Sequence, residues 1–296
     1  MSGVQTRRRR APRIAFEAMR DMPKERLAST LAGPPEQALP WIMAAARYGL
    51  VEAQVLLGQI LLDGRGTPRD PAAAVRWFAA AADAGCVPAM NMLGRCHERG
   101  WGVAPDDTQA VHWFSRAAEH GLDWALYNLA NMTLRGRGIA RDRAKAFLLY
   151  LRAAHLGHAK SMNMIGRFFE EGWEVSRDGQ AALDWYRRSA KGGDFRGQYN
   201  LGSLLAQDGR IEEAVLWLDA AVRSGTQDFL GEIWQNLAQS DVAAIRAVGD
   251  LAAARLAQVP AALPPRQDTH ATRAAHASAA AKLQVAAKAE AAAVTP

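Results

Sequence analysis

A spacing of 36 residues recurs through most of this chain and restricts it to a repeat architecture. When the sequence is written in rows of that length, small residues, aspartates and tryptophans fall into columns. One column reads Gly58, Gly94, Ala130, Gly166 and Gly202, each preceded by leucine or isoleucine. A second column reads Trp41, Trp77, Trp113, Leu149 and Trp185. Self-similarity at such a period indicates a repeat array, in which each unit buries its apolar face against its neighbours.

Two helices are predicted in each repeat from the residues at their ends. The first helices are predicted at Val51–Asp63, Val87–Arg99, Asp123–Arg135, Ala159–Glu171 and Phe195–Gln207. An aspartate precedes each second helix, where its carboxylate can accept hydrogen bonds from the free amides of the first turn. These aspartates are Asp70, Asp106, Asp142 and Asp178. Glycines that can adopt the left-handed conformation close the second helices, at Gly85, Gly121, Gly157 and Gly193.

The column of Gly58 and Gly94 falls inside the first helix, where glycine costs about 1 kcal/mol relative to alanine. Close packing of the two helices of a repeat offers a compensation, because a side chain at this point would push them apart. The tryptophan column is interpreted as the core of the second helices, since aromatic side chains dominate such cores.

The period also divides the chain into segments. The array ends in a shortened unit, because four residues are missing from the turn at Gly209. The predicted segments are a disordered basic N-terminus (1–12), an N-terminal helical cap (13–49), five helix pairs (50–225), C-terminal capping helices (226–258) and a disordered Ala/Pro-rich tail (259–296).

The net charge of +6 belongs mainly to the N-terminus, since about +5 lies within the first 30 residues. A basic tail is weaker evidence for nucleic-acid binding than a basic face. If Cys86 and Cys96 share a helix they are about 15 Å apart, too far for a disulfide, which favours a reducing compartment. No stretch has the length and apolarity of a signal peptide or a membrane span, so we expect a soluble cytoplasmic protein.

No catalytic constellation is visible. His155 and His158 flank the closing Gly157 with no third ligand near in sequence, and Cys96 shares its register with apolar residues. The serine-hydrolase elbow, the zinc motif H-E-x-x-H, the phosphate loop and the dinucleotide fingerprint are absent. The sequence therefore predicts a protein that is not an enzyme and carries no metal or cofactor.

One copy of the repeat shows a family pattern most fully. It runs from Ala89 to Gly94, through Gly100-Trp-Gly-Val103 and Asp106, to Ala110-Val-His-Trp-Phe114, Ala117-Ala118 and Gly121. This pattern resembles the Sel-one-like repeat family, a relative of the tetratricopeptide repeats, over roughly residues 41–225. Among the departures, Glu174 replaces the second glycine of the turn. The resemblance implies an all-α, right-handed superhelix (solenoid) of antiparallel helix pairs, with the first helices lining a concave surface. Family members typically act as adaptors or scaffolds, while a secreted, cysteine-rich minority bind or hydrolyse penicillin-type substrates.

The first helices share one face at positions three before, one after and five after the column glycine, because steps of four nearly complete a helical turn. This first-helix face is rich in amides, arginine and tyrosine, which suit either a solvated surface or a peptide groove. The candidate partner-binding residues are Asn91, Arg95, Tyr127, Asn131, Arg135, Asn163, Arg167 and Tyr199. Glu98, Glu170 and Glu171 lie near the arginines and could neutralise them.

The leading hypothesis is an interaction scaffold that binds a protein or peptide, with the arginines favouring an acidic one. A hydrolase of the penicillin-binding kind is an alternative, opposed by the absence of the cysteine pattern. A second alternative is a nucleic-acid-associated protein acting through the basic cluster at residues 7–10.

Overall fold

The computed structural model describes residues 34–258 together with the isolated Arg26 and Thr30. Within residues 34–258 the chain forms thirteen helices and no strand, so the prediction of an all-α repeat fold is confirmed. The helices are α1 (Pro35–Arg47), α2 (Val51–Asp63), α3 (Pro71–Asp83), α4 (Val87–Arg99), α5 (Asp107–Glu119), α6 (Asp123–Arg135), α7 (Arg143–His155), α8 (Ala159–Glu171), α9 (Gly179–Lys191), α10 (Phe195–Gln207), α11 (Ile211–Ser224), α12 (Gln227–Ala238) and α13 (Ala243–Ala257).

The described residues belong to two compact units that divide within α5. The N-terminal unit is described over residues 34–113 and the C-terminal unit over residues 114–258. The predictions for residues 1–12, for 259–296 and for most of the cap before residue 34 lie outside the described residues. A membrane-crossing helix needs about 20 apolar residues, and none of the helices between residues 34 and 258 combines that length with that apolarity.

The helix ends follow the residues that predicted them. The five first helices, α2, α4, α6, α8 and α10, have the predicted bounds. The four aspartates cap the second helices, each carboxylate accepting a hydrogen bond from the backbone amide three residues later at 2.8–2.9 Å. Left-handed φ angles between 76° and 91° occur at the closing glycines Gly85, Gly121, Gly157 and Gly193. These local signals are sufficient to place the helices along the chain.

The column glycine lies against the second helix of its own repeat. A Cβ atom built on Gly58 would lie 2.6 Å from the Phe78 ring, and one on Gly166 would lie 2.6 Å from the Tyr186 ring. The expectation of close packing is therefore confirmed at these positions. The residue that fills this contact is the one that follows the tryptophan column.

The tryptophan column is not the centre of the core, which corrects the interpretation from sequence. Trp77, Trp113 and Trp185 are only half-buried, although Trp77 still packs against the edge of a core cluster. The aromatic residues that follow the column are fully buried, at Phe78, Phe114, Tyr150 and Tyr186. Adjacent residues on a helix point about 100° apart, and the face that meets the column glycine decides which one is buried.

The two last helices, α12 and α13, pack against α11. Phe229 and Ile233 of α12 and Ile245 of α13 join one apolar cluster with Leu218 and Val222 of α11. At the other end, α1 begins at Pro35 and contains Pro40 in its interior. Its buried Ile42 packs in one cluster with Leu57 of α2.

The turn of the fourth repeat keeps the left-handed backbone although glycine is replaced. Glu174 has φ 57°, the only positive φ among the non-glycine residues of the described chain. The corresponding Gly102 has φ 74° and packs against the backbone of Pro71, at the start of a second helix. The fourth repeat thus keeps the left-handed turn with a residue type that rarely adopts it.

We predict opposite effects for alanine at two helical glycines. Gly166→Ala should lower the free energy of unfolding by about 1–3 kcal/mol, because the new methyl group overlaps the buried Tyr186 ring. Gly231→Ala is the matched control, since no atom lies within 4 Å of a Cβ built there. It should raise stability by up to about 1 kcal/mol through helix propensity. Urea unfolding of both variants measures this, and a stabilised Gly166→Ala variant would contradict the close contact.

We also predict that Phe114 contributes more to stability than its neighbour Trp113. Phe114→Ala should cost about 3–5 kcal/mol, because the ring is fully buried. Trp113→Ala should cost less, because the indole is half-exposed. Equal losses in a denaturant titration would show that the tryptophan column is core after all.

Candidate functional site

The structure brings five of the eight candidate residues together around one cavity in the C-terminal unit. The cavity has a volume of about 520 Å³. Its candidate residues come from two neighbouring first helices, α6 and α8, and are Tyr127, Asn131, Arg135, Asn163 and Arg167. Tyr199 of α10 does not line it, and its ring lies 5.8 Å from that of Phe229 instead. Tyr199 is therefore also part of the core that the closing helices cover.

Further residues complete the cavity that sequence analysis did not name. Lys160, Trp173, Asp194, Phe195 and Arg196 also line it. Phe195 lies seven residues before the column glycine, so one more step of four along the first-helix face would have found it. Lys160 and Arg196 lie six residues before the column glycine, beside that face. Trp173 follows α8 in the turn, and no helical spacing predicts where a turn residue points.

The side-chain oxygens of two cavity asparagines accept hydrogen bonds from side chains of other helices. The Tyr150 hydroxyl donates to Asn131 Oδ1 at 2.8 Å, and Asn200 Nδ2 donates to Asn163 Oδ1 at 2.8 Å. Burial raises the pKa of Tyr150, so its hydroxyl keeps the proton that it donates to Asn131. The amide groups of both asparagines are thereby oriented by residues of other helices.

The cavity arginines form no ion pair with Glu170 or Glu171, the glutamates that the sequence places nearby. Arg167 lies with its guanidinium 5.3 Å from the centre of the Trp173 ring, a cation–π contact. Glu170 instead accepts a hydrogen bond of 2.5 Å from the Tyr186 hydroxyl. Arg135 is exposed, and neither it nor Arg167 forms an ion pair with any residue that the structure describes. Arg196, by contrast, pairs with Glu232 at 3.0 Å.

Asp194 is the buried carboxylate of the cavity wall and caps α10. Its Oδ2 accepts a hydrogen bond from the Gly197 amide at 2.9 Å and lies 3.2 Å from the Ser189 hydroxyl. Burial raises its pKa despite these contacts. The preceding repeats carry Leu50, Cys86, Leu122 and His158 at this position, so no column marked it.

The N-terminal unit repeats one of these contacts. Arg95 of α4 lies 5.1 Å from the centre of the Trp101 ring, as Arg167 does over Trp173 two repeats later. Asn91, on the same helix, is buried. Burial raises the pKa of the Cys96 thiol to about 12, which keeps it protonated and unreactive at neutral pH.

The histidines near Gly157 have structural positions. His158 is buried and precedes α8, where its Nδ1 accepts from the Ser161 amide at 3.2 Å. Its ring lies between those of Trp124 and Tyr127, at 4.6 and 4.8 Å. His155 is exposed. Within the described part of the chain, no group of three potential ligands is placed to hold a metal ion.

Comparison with known proteins identifies the repeat. A sequence model of the Sel1 repeat matches four consecutive stretches, residues 51–86, 87–122, 125–158 and 159–194. A Sel1 repeat protein from Oxalobacter formigenes, known from its crystal structure, is 28% identical with a TM-score of 0.68, over 79% of this chain and 100% of that chain. No curated protein shows significant similarity to the chain.

Two more distant structures share the fold alone. One is c5321, a protective antigen of uropathogenic Escherichia coli strains, which is 24% identical with a TM-score of 0.61. The alignment covers 81% of this chain and only 55% of that antigen. The other is the immunity protein PA5088 from Pseudomonas aeruginosa, which is 16% identical with a TM-score of 0.51, over 70% of this chain and 80% of that one.

The raised pKa of Asp194 predicts a pH dependence of stability. Because the folded-state pKa lies above the usual 3.8, the folded protein binds a proton more readily than the unfolded chain just above that pH. The free energy of unfolding contributed by Asp194 therefore falls as the pH rises through this window. Asp194→Asn keeps an N-cap acceptor but does not titrate.

Urea unfolding at several pH values measures the free energy of unfolding of wild type minus that of Asp194→Asn. This value should decrease as the pH rises above 3.8 and then level off. A difference that increases with pH would mean that the hydrogen bonds to the carboxylate outweigh its burial.

Proposed function

We propose that this chain, which is a Sel1 repeat protein, is a scaffold that binds a peptide segment or protein surface on its first-helix face. Sel1 repeat proteins are generally scaffolds for protein interactions and generally not catalytic. We further propose that this chain is itself not an enzyme and acts in the cytoplasm. Neither of its two cysteines is in a disulfide, as is usual in a reducing compartment.

One observation carries the proposal for the C-terminal unit. Arg135 and Arg167, from successive first helices, reach one cavity and form no ion pair with the described residues. Unpaired guanidinium groups beside aromatic side chains are typical of surfaces that bind proteins, where arginine, tyrosine and tryptophan contribute most of the energy. In the N-terminal unit we propose that Asn91 and Arg95 belong to a corresponding surface, because Arg95 is held over an indole in the same way.

We predict that charge reversal on the first-helix face abolishes partner capture. Arg95→Glu and Arg167→Glu, made separately and together in the full chain, should reduce the recovery of bound proteins at least about tenfold, since hot-spot arginines contribute about 2 kcal/mol or more. The loss of each cation–π contact should lower stability by only about 0.5–1 kcal/mol. Quantitative mass spectrometry of proteins retained by each bait is the measurement.

The matched control places the same charge change on the second helices. Arg152 of α7 and Arg188 of α9 are exposed, so Arg152→Glu with Arg188→Glu should retain the partners. Undiminished capture by folded first-helix variants would refute the proposal. Capture that instead depends on residues 7–10 and on added nucleic acid would support the nucleic-acid alternative.

A further inference from the structure

We propose that the cavity of the C-terminal unit is an anchor for acidic side chains, so that the bound segment presents glutamate or aspartate to it. This inference rests on the proposed function and specifies the chemistry of the same surface. The name acidic anchor is used below for the cavity formed by Asn131, Arg135, Asn163 and Arg167 with the Trp173 ring.

The first argument is the orientation of the two amides. A side-chain amide has one acceptor oxygen and one NH₂ group with two donors. The side-chain oxygen of Asn131 accepts a hydrogen bond from Tyr150, and that of Asn163 accepts one from Asn200. Asn163 is 5% exposed, and its Nδ2 has no partner among the described residues. Because Asn163 lines the cavity, its NH₂ group can offer two donors to a ligand that accepts hydrogen bonds.

The second argument is the charge. Arg135 and Arg167 contribute two positive charges and ten donor N–H groups between them, with no ion pair to a described residue. The Asp194 carboxylate is bound to the Gly197 amide, and the nearby charge of Lys160 acts on it. Arg196 is balanced by Glu232. Arg135 and Arg167 therefore keep donors that no ion pair uses, and they line the cavity together with Tyr127.

The third argument selects a carboxylate side chain among anions. A carboxylate is planar and accepts from two guanidinium or amide donors at once. The methylene stem of glutamate suits the aromatic part of the wall, formed by Trp173 and Phe195. A phosphate dianion carries a larger desolvation cost next to the buried Asp194 carboxylate. An acidic segment with two carboxylates would supply one ion-pair partner to each of Arg135 and Arg167.

The test compares capped peptides on the full chain by isothermal titration calorimetry at low ionic strength, where such contacts are least screened. The probes are the amidated peptides Ala-Glu-Glu-Ala-Glu-Glu, its glutamine counterpart and a phosphoserine counterpart. The glutamate peptide should bind at least about tenfold more tightly than the glutamine peptide, as hydrogen bonds to charged groups require. Equal affinities, or tighter binding of the phosphoserine peptide, would overturn the proposal.

Two pairs of variants locate the effect. Arg135→Gln with Arg167→Gln should weaken binding of the glutamate peptide at least about tenfold. Arg152→Gln with Arg188→Gln removes the same charge from exposed positions of the second helices and should change the affinity less than about twofold. Equal losses of affinity in the two double variants would mean that the peptide is bound by non-specific charge attraction, and would refute the acidic anchor.

Tyr150 is tested as a positioning residue. Tyr150→Phe keeps the buried ring but releases the Asn131 oxygen, so the amide can turn and offer either group to a ligand. The preference for glutamate over glutamine should fall by at least about threefold, a ratio that a loss of stability alone leaves unchanged. An unchanged ratio would refute this role. If no peptide preference exists while Arg167→Glu still loses partners, the acidic anchor fails and the proposed function stands.

Discussion

The contact between a glycine in the first helix and a buried side chain in the second sets the distance between the two helices in the repeats that carry it. Phe78, Tyr186 and Leu218 lie where a Cβ atom on Gly58, Gly166 and Gly202 would overlap them. The lost helix propensity of glycine, about 1 kcal/mol, is small beside the several kcal/mol of a fully buried aromatic side chain. The 36-residue period records this contact, which recurs at these three glycines, while the third repeat carries the small residue Ala130 in the same column.

The same contact links the core to the first-helix face. Tyr150 and Tyr186 bury their rings in the helix pair, yet their hydroxyls reach polar side chains of the first helices, Asn131 and Glu170. Phe78 and Phe114 stand in the same column without a hydroxyl. Exchanging phenylalanine for tyrosine in the core therefore changes how polar groups on the first-helix face are oriented, with little change in packing volume.

The sequence predicted what depends on neighbouring residues. The helix bounds, the aspartate caps and the left-handed glycines follow from hydrogen bonds within a few residues, and they are confirmed. The prediction that the tryptophan column is buried was wrong. Trp113 and Phe114 are both apolar, and which of them is buried depends on which one faces the partner helix. The spacing that defines the first-helix face predicted Arg135 and Arg167. Trp173 was missed because it lies in a turn, and Asp194 was missed because the preceding repeats do not carry aspartate at its position.

The orientation of the asparagine side chains in the cavity could not be predicted from the sequence. An asparagine offers either a donor or an acceptor, and its choice is fixed only by the group that binds its other end. For Asn131 that group is a tyrosine 19 residues away, and for Asn163 an asparagine 37 residues away. Tyr150 and Asn200, which bind these two amides, do not themselves line the cavity. The binding chemistry of such a repeat can then diverge through second-helix and neighbouring-repeat residues while every lining residue stays the same.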